Sequence, residues 1–310
     1  MSIFLYILLN NITPLIIIIF LGFVMGKKFN LSVRSFSKLN FYILIPAMIF
    51  VKIYETELDS DLIKVLVFTL VLLIILDISS RLIAKLFKFS NSMDSAFRNS
   101  VMFYNSGNFG LPLVTLVFQN SPYSSYAVSV QIMVLMIQSL FLNTLGFYNV
   151  GKGKLGTYDA IKMVLKMPTL YAILSGFLLK FITYDMHELF LWPSIDLLKD
   201  AAIPVALFTL GVQLSLSKIH IKNKNVYISV FTRLILGPII AYGLILIFGF
   251  NGLVAQVLLI SSSVPSTVNS VLIAVEFDNE PDFAAQTVLI STILCSITLT
   301  IIIYLSKILF

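Results

Sequence analysis

The sequence has few charged residues, one cysteine and two histidines, and each shortage excludes a class of protein. Of the 310 residues, 12% are charged and 58% are hydrophobic, whereas soluble domains carry roughly 25% charged residues. A soluble domain could not expose this much apolar surface without aggregating. The single Cys295 excludes an intrachain disulfide and a cysteine metal cluster. The composition therefore indicates an all-α polytopic membrane protein.

The net charge of +6 does not indicate a nucleic-acid partner, because the basic residues form no stripe with interleaved aromatic residues. They lie between apolar stretches, where lysine and arginine mark the cytoplasmic side of a membrane protein. With both termini outside, most of them fall on the inner side, including Arg233 near the start of the eighth apolar span. We therefore expect a multi-pass protein of a plasma membrane. The compact, Ile- and Lys-rich chain suggests a prokaryotic source.

Ten apolar segments are long enough to be transmembrane helices, each of which needs about 20 residues. The predicted spans are 3–26, 36–54, 62–87, 96–119, 123–148, 166–183, 196–217, 226–249, 253–275 and 284–307. The connections are short except residues 149–165, where glycines and lysines mark the midpoint. We predict two five-helix halves, residues 1–150 and 151–310. Because five is odd, the second half is inverted relative to the first.

The order of prolines supports an inverted repeat. Pro46 in the second span matches Pro204 in the seventh, and both follow an isoleucine. Asn105 lies nearly as far beyond Pro46 as Pro265 lies beyond Pro204. The fourth and ninth spans are therefore predicted counterparts.

Both counterparts contain residues that disfavour a regular helix. Glycines and a proline interrupt residues 104–112, and serines and a proline interrupt residues 261–269. Unpaired backbone groups cost several kcal/mol in hydrocarbon, so such breaks survive only inside protein or beside a water-filled cavity. Two broken helices in corresponding halves are typical of the binding site of a secondary transporter. The candidate substrate-binding residues are Asn105, Gly107, Asn108, Gly110, Pro112, Ser263, Pro265, Ser266, Thr267 and Asn269.

The chemistry of the two breaks favours an anionic or neutral polar substrate. Helix N-termini present free N–H groups and attract anions, asparagine and serine side chains add hydrogen bonds, and no acidic residue lies at either break. Close helix packing is the alternative explanation for these small residues and prolines.

Asp77 lies deep in the third span, with Arg81 one turn later on the same helix face. Ionisable residues inside a membrane are costly and usually functional. The pair could relay protons or carry charge, or it could be a structural ion pair with Arg81 reaching the interface.

Two other classes of function have less support. An intramembrane enzyme needs a nucleophile with a base, paired aspartates or a metal set, and the predicted spans contain no histidine. A non-transporting sensor would need a domain to receive its signal. We expect no enzyme activity, cofactor or metal, while sodium-coupled transport stays an alternative.

The chain resembles the auxin efflux carrier family, whose bacterial members are described as organic-acid permeases. The resemblance rests on Asn40–Ala47, Asn105–Pro112, Ile203–Ala206 with Gly211, and Val264–Phe277, and it covers essentially the whole chain. It implies ten helices in two inverted repeats, with helices 4 and 9 broken and crossing. It also implies a homodimer with an elevator-like mechanism, in which helices 1, 2, 6 and 7 form the scaffold and helices 3–5 and 8–10 move.

Within the resemblance, Asp77 and Arg81 look similar to an acid and a base that support the substrate site of plant auxin carriers. Asn108 corresponds best to the asparagine at the break of their fourth helix. The expected function is transport of a small organic anion, a mono- or dicarboxylate. The fold also resembles that of bile acid sodium symporters, although no sodium-binding acid is evident near the crossing.

Overall fold

A computed structural model describes residues 3–56, 60–150, 162, 165–216 and 223–310. We number its principal helices α1 to α12. Their bounds are Leu5–Phe29, Val33–Glu55, Ser60–Leu86, Asn91–Met102, Ser106–Phe118, Ser124–Val150, Pro168–Leu179, Trp192–Ser215, Lys224–Phe248, Gly252–Ser262, Asn269–Glu276 and Pro281–Leu309. Most of the predicted central loop, residues 149–165, lies outside the described residues.

The described part of the chain is helical, and six of its helices are long and apolar enough to cross a membrane. These are α1, α2, α3, α6, α9 and α12. The helices α5, α7 and α10 are apolar but shorter. The prediction of an all-helical polytopic membrane protein is confirmed.

Four helices contain a wide π-helical turn just before a proline. Proline has no N–H, and its ring clashes with the carbonyl four residues earlier. We attribute the wide turns to this clash, since a π turn lets the helix continue past the ring. The turns and prolines are Leu8–Ile12 before Pro14, Asn40–Leu44 before Pro46, Ser106–Gly110 before Pro112, and Thr232–Leu236 before Pro238. Pro204 instead lies inside α8.

Helices α1, α2, α7 and α8 pack together as one group, and glycines set their spacing. A Cβ atom on Gly22 of α1 would collide with the backbone of Phe208 in α8. Conversely, a Cβ atom on Gly211 of α8 would collide with the backbone of Ile19 in α1. The two helix backbones therefore touch, as small residues allow in membrane proteins.

The remaining long helices form a second group, in which α3 packs on α4 and α6, and α10 packs on α6, α9 and α12. Polar contacts also join the two groups. The side chain of Asn11 in α1 donates to the carbonyl of Leu116 in α5, at 3.1 Å. The hydroxyl oxygens of Thr56 and Ser129 lie 2.6 Å apart. The two groups thus meet at α5 and α6, and α1 also packs on α12.

Candidate functional site at the helix crossing

The chain leaves its helical path between α4 and α5, and again between α10 and α11. The two irregular segments pair as a short antiparallel bridge centred on Tyr104 and Ser266. The N–H of Asn105 donates to the carbonyl of Pro265 at 2.8 Å, and the N–H of Thr267 donates to the carbonyl of Phe103 at 3.1 Å. Each segment thereby satisfies backbone groups that the other's break leaves unpaired. The chain is thus interrupted in both predicted segments, and the two interruptions contact each other; we call this contact the crossing.

The first break lies closer to the N-terminus than the sequence predicted. Glycines and proline were expected to interrupt residues 104–112, but the helix resumes at Ser106. Gly107 and Gly110 lie inside the π turn, and Pro112 occupies the first turn of the regular helix that follows. Pro112 has no N–H to donate, and the π turn before it lets the helix continue past its ring.

The start of α5 presents backbone donors without acceptors. The N–H groups of Gly107, Asn108 and Phe109 belong to its first turn, where no earlier helical carbonyl is available. Gly107 and Asn108 are partly exposed, whereas their neighbours are buried. The Oδ1 atom of Asn108 accepts from Nδ2 of Asn40 in α2, at 3.3 Å. This bond leaves the Asn108 amide nitrogen free to donate.

Buried amide side chains surround this helix start, and several of their atoms have no partner. Nδ2 of Asn105 is one of them. Gln131 donates through Nε2 to the carbonyl of Ser106 at 2.8 Å, which leaves its Oε1 without a donor. Gln138 accepts through Oε1 from the N–H of Tyr104 at 3.2 Å, which leaves its Nε2 without an acceptor. Buried polar atoms normally have a partner, so water or a polar ligand is expected here.

At the second break the hydroxyls of Ser263, Ser266 and Thr267 have hydrogen-bond partners inside the protein, whereas Oγ of Ser261 is buried without one. Ser263 donates to the carbonyl of Leu259 in α10 at 2.6 Å, and Ser266 donates to the carbonyl of Ser100 in α4 at 2.7 Å. Thr267 accepts from the N–H of Asn269 at 3.4 Å. The Asn269 side chain is exposed. Ser263, Ser266 and Thr267 shape the crossing, whereas the backbone N–H groups without acceptors lie at the start of α5.

Arg233 also reaches the crossing, although its place in the sequence indicated an inner helix end. It is completely buried, and its guanidinium carbon lies 4.7 Å from the ring centroid of Tyr104. Nη1 donates to the carbonyl of Val101 at 2.9 Å, and Nη2 donates to the carbonyl of Ser262. The sequence did contain a signal for this position, since Arg233 is a single arginine within an apolar span. The sequence analysis instead counted it among the basic residues of the inner side.

The expected pair of Asp77 and Arg81 is present, and Arg98 extends it. The two carboxylate oxygens of Asp77 accept from different arginines, Oδ2 from Arg81 at 2.9 Å and Oδ1 from Arg98 at 2.7 Å. Arg98 also donates to the side chain of Asn149, at 3.0 Å. The network joins α3, α4 and α6. Sequence reasoning missed Arg98, because its contact with Asp77 depends on the packing of two helices.

A family model described as "Membrane transport protein" matches residues 7–303. An uncharacterized transporter of Methanothermobacter thermautotrophicus is 24% identical over 297 residues, 94% of this chain and 95% of the relative. A second, from Methanocaldococcus jannaschii, is 23% identical over 81% of this chain and 82% of the relative. A protein of Rhizobium meliloti named "Putative malonate transporter" is 28% identical over 45% of this chain and 44% of its own length. The chain belongs to the membrane transport protein family, which includes the auxin efflux carriers that its motifs resemble.

Proposed function

We propose that this protein is a secondary carrier of small organic anions, with mono- and dicarboxylates as its substrate class. The observation that carries the proposal is the crossing of the broken helices, with uncommitted N–H donors at the start of α5. An anion suits this position, because a helix N-terminus carries about half a positive charge and its free N–H groups point outward. The relative named for malonate supports a dicarboxylate as the first compound to test.

The proposed substrate site lies against Gly107 and Asn108. The Asn108 amide and the first-turn N–H groups would bind one carboxylate, and the unpartnered Nδ2 of Asn105 would add a further donor. Asn40 would orient Asn108 through their 3.3 Å hydrogen bond. Gly110 would keep Gln131 close, because a Cβ atom there would lie 2.7 Å from Gln131 Nε2.

We propose an elevator-like movement between the two helix groups. Helices α1, α2, α7 and α8 would be the scaffold and dimer-forming part, and α3 to α6 with α9 to α12 would carry the crossing. The backbone contact of α1 with α8 at Gly22 and Gly211 suits a rigid scaffold. The Asp77 network suits a rigid moving part, because it ties three of the moving helices together. The corresponding topology has ten transmembrane segments in two inverted repeats, with both termini outside a prokaryotic plasma membrane.

Counterflow in proteoliposomes tests the function. Vesicles loaded with unlabelled malonate should accumulate labelled malonate transiently, because a carrier exchanges substrate across the membrane without an energy source. A panel of monocarboxylates, dicarboxylates and neutral polar compounds of similar size would define the class. We expect carboxylates to compete with labelled malonate and neutral compounds to compete poorly.

Protein-free vesicles and vesicles with heat-inactivated protein are the controls. Absence of counterflow with every carboxylate would contradict the proposed function. Binding without counterflow would favour a sensor instead.

A further inference from the structure

Arg233 is a buried positive charge whose counter-charge is not a carboxylate. It lies nine residues into α9, about 14 Å along the helix at 1.5 Å per residue. Gly237 makes room for it, since a Cβ atom there would lie 2.9 Å from Nη2. Among the described residues, no ion pair includes Arg233. An uncompensated buried charge is strongly destabilising, so another group must balance this one.

The C-termini of two helices, α4 and α10, supply the negative charge that balances Arg233. The carbonyl that accepts from Nη1 is that of Val101, in the last turn of α4. The carbonyl that accepts from Nη2 is that of Ser262, the last residue of α10. Each helix C-terminus carries about half a negative charge. Together the two ends are roughly equivalent to one negative charge, which matches one guanidinium.

In transporters with broken helices, a coupling sodium ion or proton binds to the C-terminal ends of the half-helices and to the backbone carbonyls of the unwound segments. Here an arginine side chain occupies both C-termini at the crossing. Building on the proposed carrier function, we propose that Arg233 is a tethered cation that replaces a coupling sodium ion. The carrier then moves its organic anion without sodium. Arg233 is a positioning residue, because its observed contacts are with the two half-helices and Tyr104.

The contacts of Arg233 also affect the start of α5, where the substrate is proposed to bind. A mobile cation must bind before the C-termini are neutralised, whereas Arg233 neutralises them permanently. The start of α5 therefore keeps its attraction for an anion in every step of the cycle. Removing the guanidinium leaves two buried carbonyls without a donor, and a small guanidinium ion has the right shape and charge to replace it.

The first test measures thermal stability of the purified full chain, because this readout does not depend on transport. Sodium chloride and potassium chloride at equal concentration should give the same melting temperature for wild type. The Arg233→Ala variant should melt lower, and millimolar methylguanidinium should raise its melting temperature while leaving wild type unchanged. Arg34→Ala is the matched control, because Arg34 is exposed in α2 and its loss creates no buried site for the ion.

The second test measures labelled malonate uptake under a sodium gradient and under a potassium gradient of the same size. Wild type should show equal rates. Arg233→Ala should lose about tenfold or more, as expected when a charged hydrogen-bonding group is removed, and methylguanidinium should restore part of the rate. If Arg233→Ala does not fold, Arg233→Lys replaces it and should keep sodium independence at a reduced rate.

Results of two kinds would overturn the inference, one in wild type and one in the variant. One is uptake by wild type that a sodium gradient drives, or a melting temperature that sodium alone raises. The other is an Arg233→Ala variant that is as stable and active as wild type, or that methylguanidinium does not rescue. The failure of the carrier function is distinguishable, because wild type would then show no carboxylate flux under any gradient while the stability test still reports on Arg233.

Discussion

The Asn108→Ala variant is expected to transport its carboxylate with a kcat/KM about 10- to 100-fold below that of wild type. The substitution removes the free amide donor at the start of α5 and the acceptor of the Asn40 hydrogen bond. A hydrogen bond to a charged group contributes about 1.5–3 kcal/mol, which corresponds to this loss in rate. Initial rates of labelled malonate uptake over a range of concentrations give the measurement.

Asn10→Ala is the matched control for this variant. Asn10 is exposed in α1, and its side chain donates to the carbonyl of Tyr6 in the same helix. The control should keep the wild-type kcat/KM within about twofold, because exposed helix positions contribute little. Unchanged transport by well-folded Asn108→Ala protein would exclude the proposed position of the substrate.

The Gly211→Ala variant is expected to lose about 1–3 kcal/mol of stability, in spite of adding only one methyl group. Its Cβ atom would collide with the backbone of Ile19 in α1. Backbone atoms cannot move aside as a flexible side chain can, so α1 and α8 must separate along their contact. Overpacking of this kind typically costs 1–3 kcal/mol. The melting temperature of the purified protein, with the yield of folded material, is the measurement.

Gly243→Ala is the control for this substitution. Gly243 also lies within a helix, α9, but a Cβ atom there would meet no atom within 4 Å. Alanine is favoured over glycine in a helix by about 1 kcal/mol, so this variant should be as stable as wild type or more stable. Equal melting temperatures for the two alanine variants would contradict the close packing of α1 on α8.

The positions of the helices could be predicted from sequence because each depends on local information. Apolar run length sets where a helix lies, and short polar connections set where it ends. The breaks were predictable for the same reason, since glycine and proline act on their own segment. The exact break was not predictable, because the pairing of Asn105 with Pro265 depends on two segments far apart in the chain.

The residues of the candidate site divide in the same way, into those that their local sequence identifies and those that only the fold identifies. Asn105 and Asn108 were identifiable, because they flank glycines inside an apolar span. In the sequence, Arg233 was assigned to the inner side of the membrane because it lies near a loop. Only the fold shows that its guanidinium reaches the carbonyls of other helices. Gln131 lies in a long apolar helix, and nothing in its local sequence indicates that it contacts the broken segment.

Two-sided access to the crossing is the most direct test of the central claim, that the crossing carries the substrate through the membrane. A Gly107→Cys protein, in which the buried native thiol is removed as Cys295→Ser, would be reconstituted and exposed to a membrane-impermeant thiol reagent from one side at a time. We predict that the thiol reacts from either side, and that a transported carboxylate slows the reaction from both. Reaction from a single side only, or a rate that no transported carboxylate changes, would contradict the account.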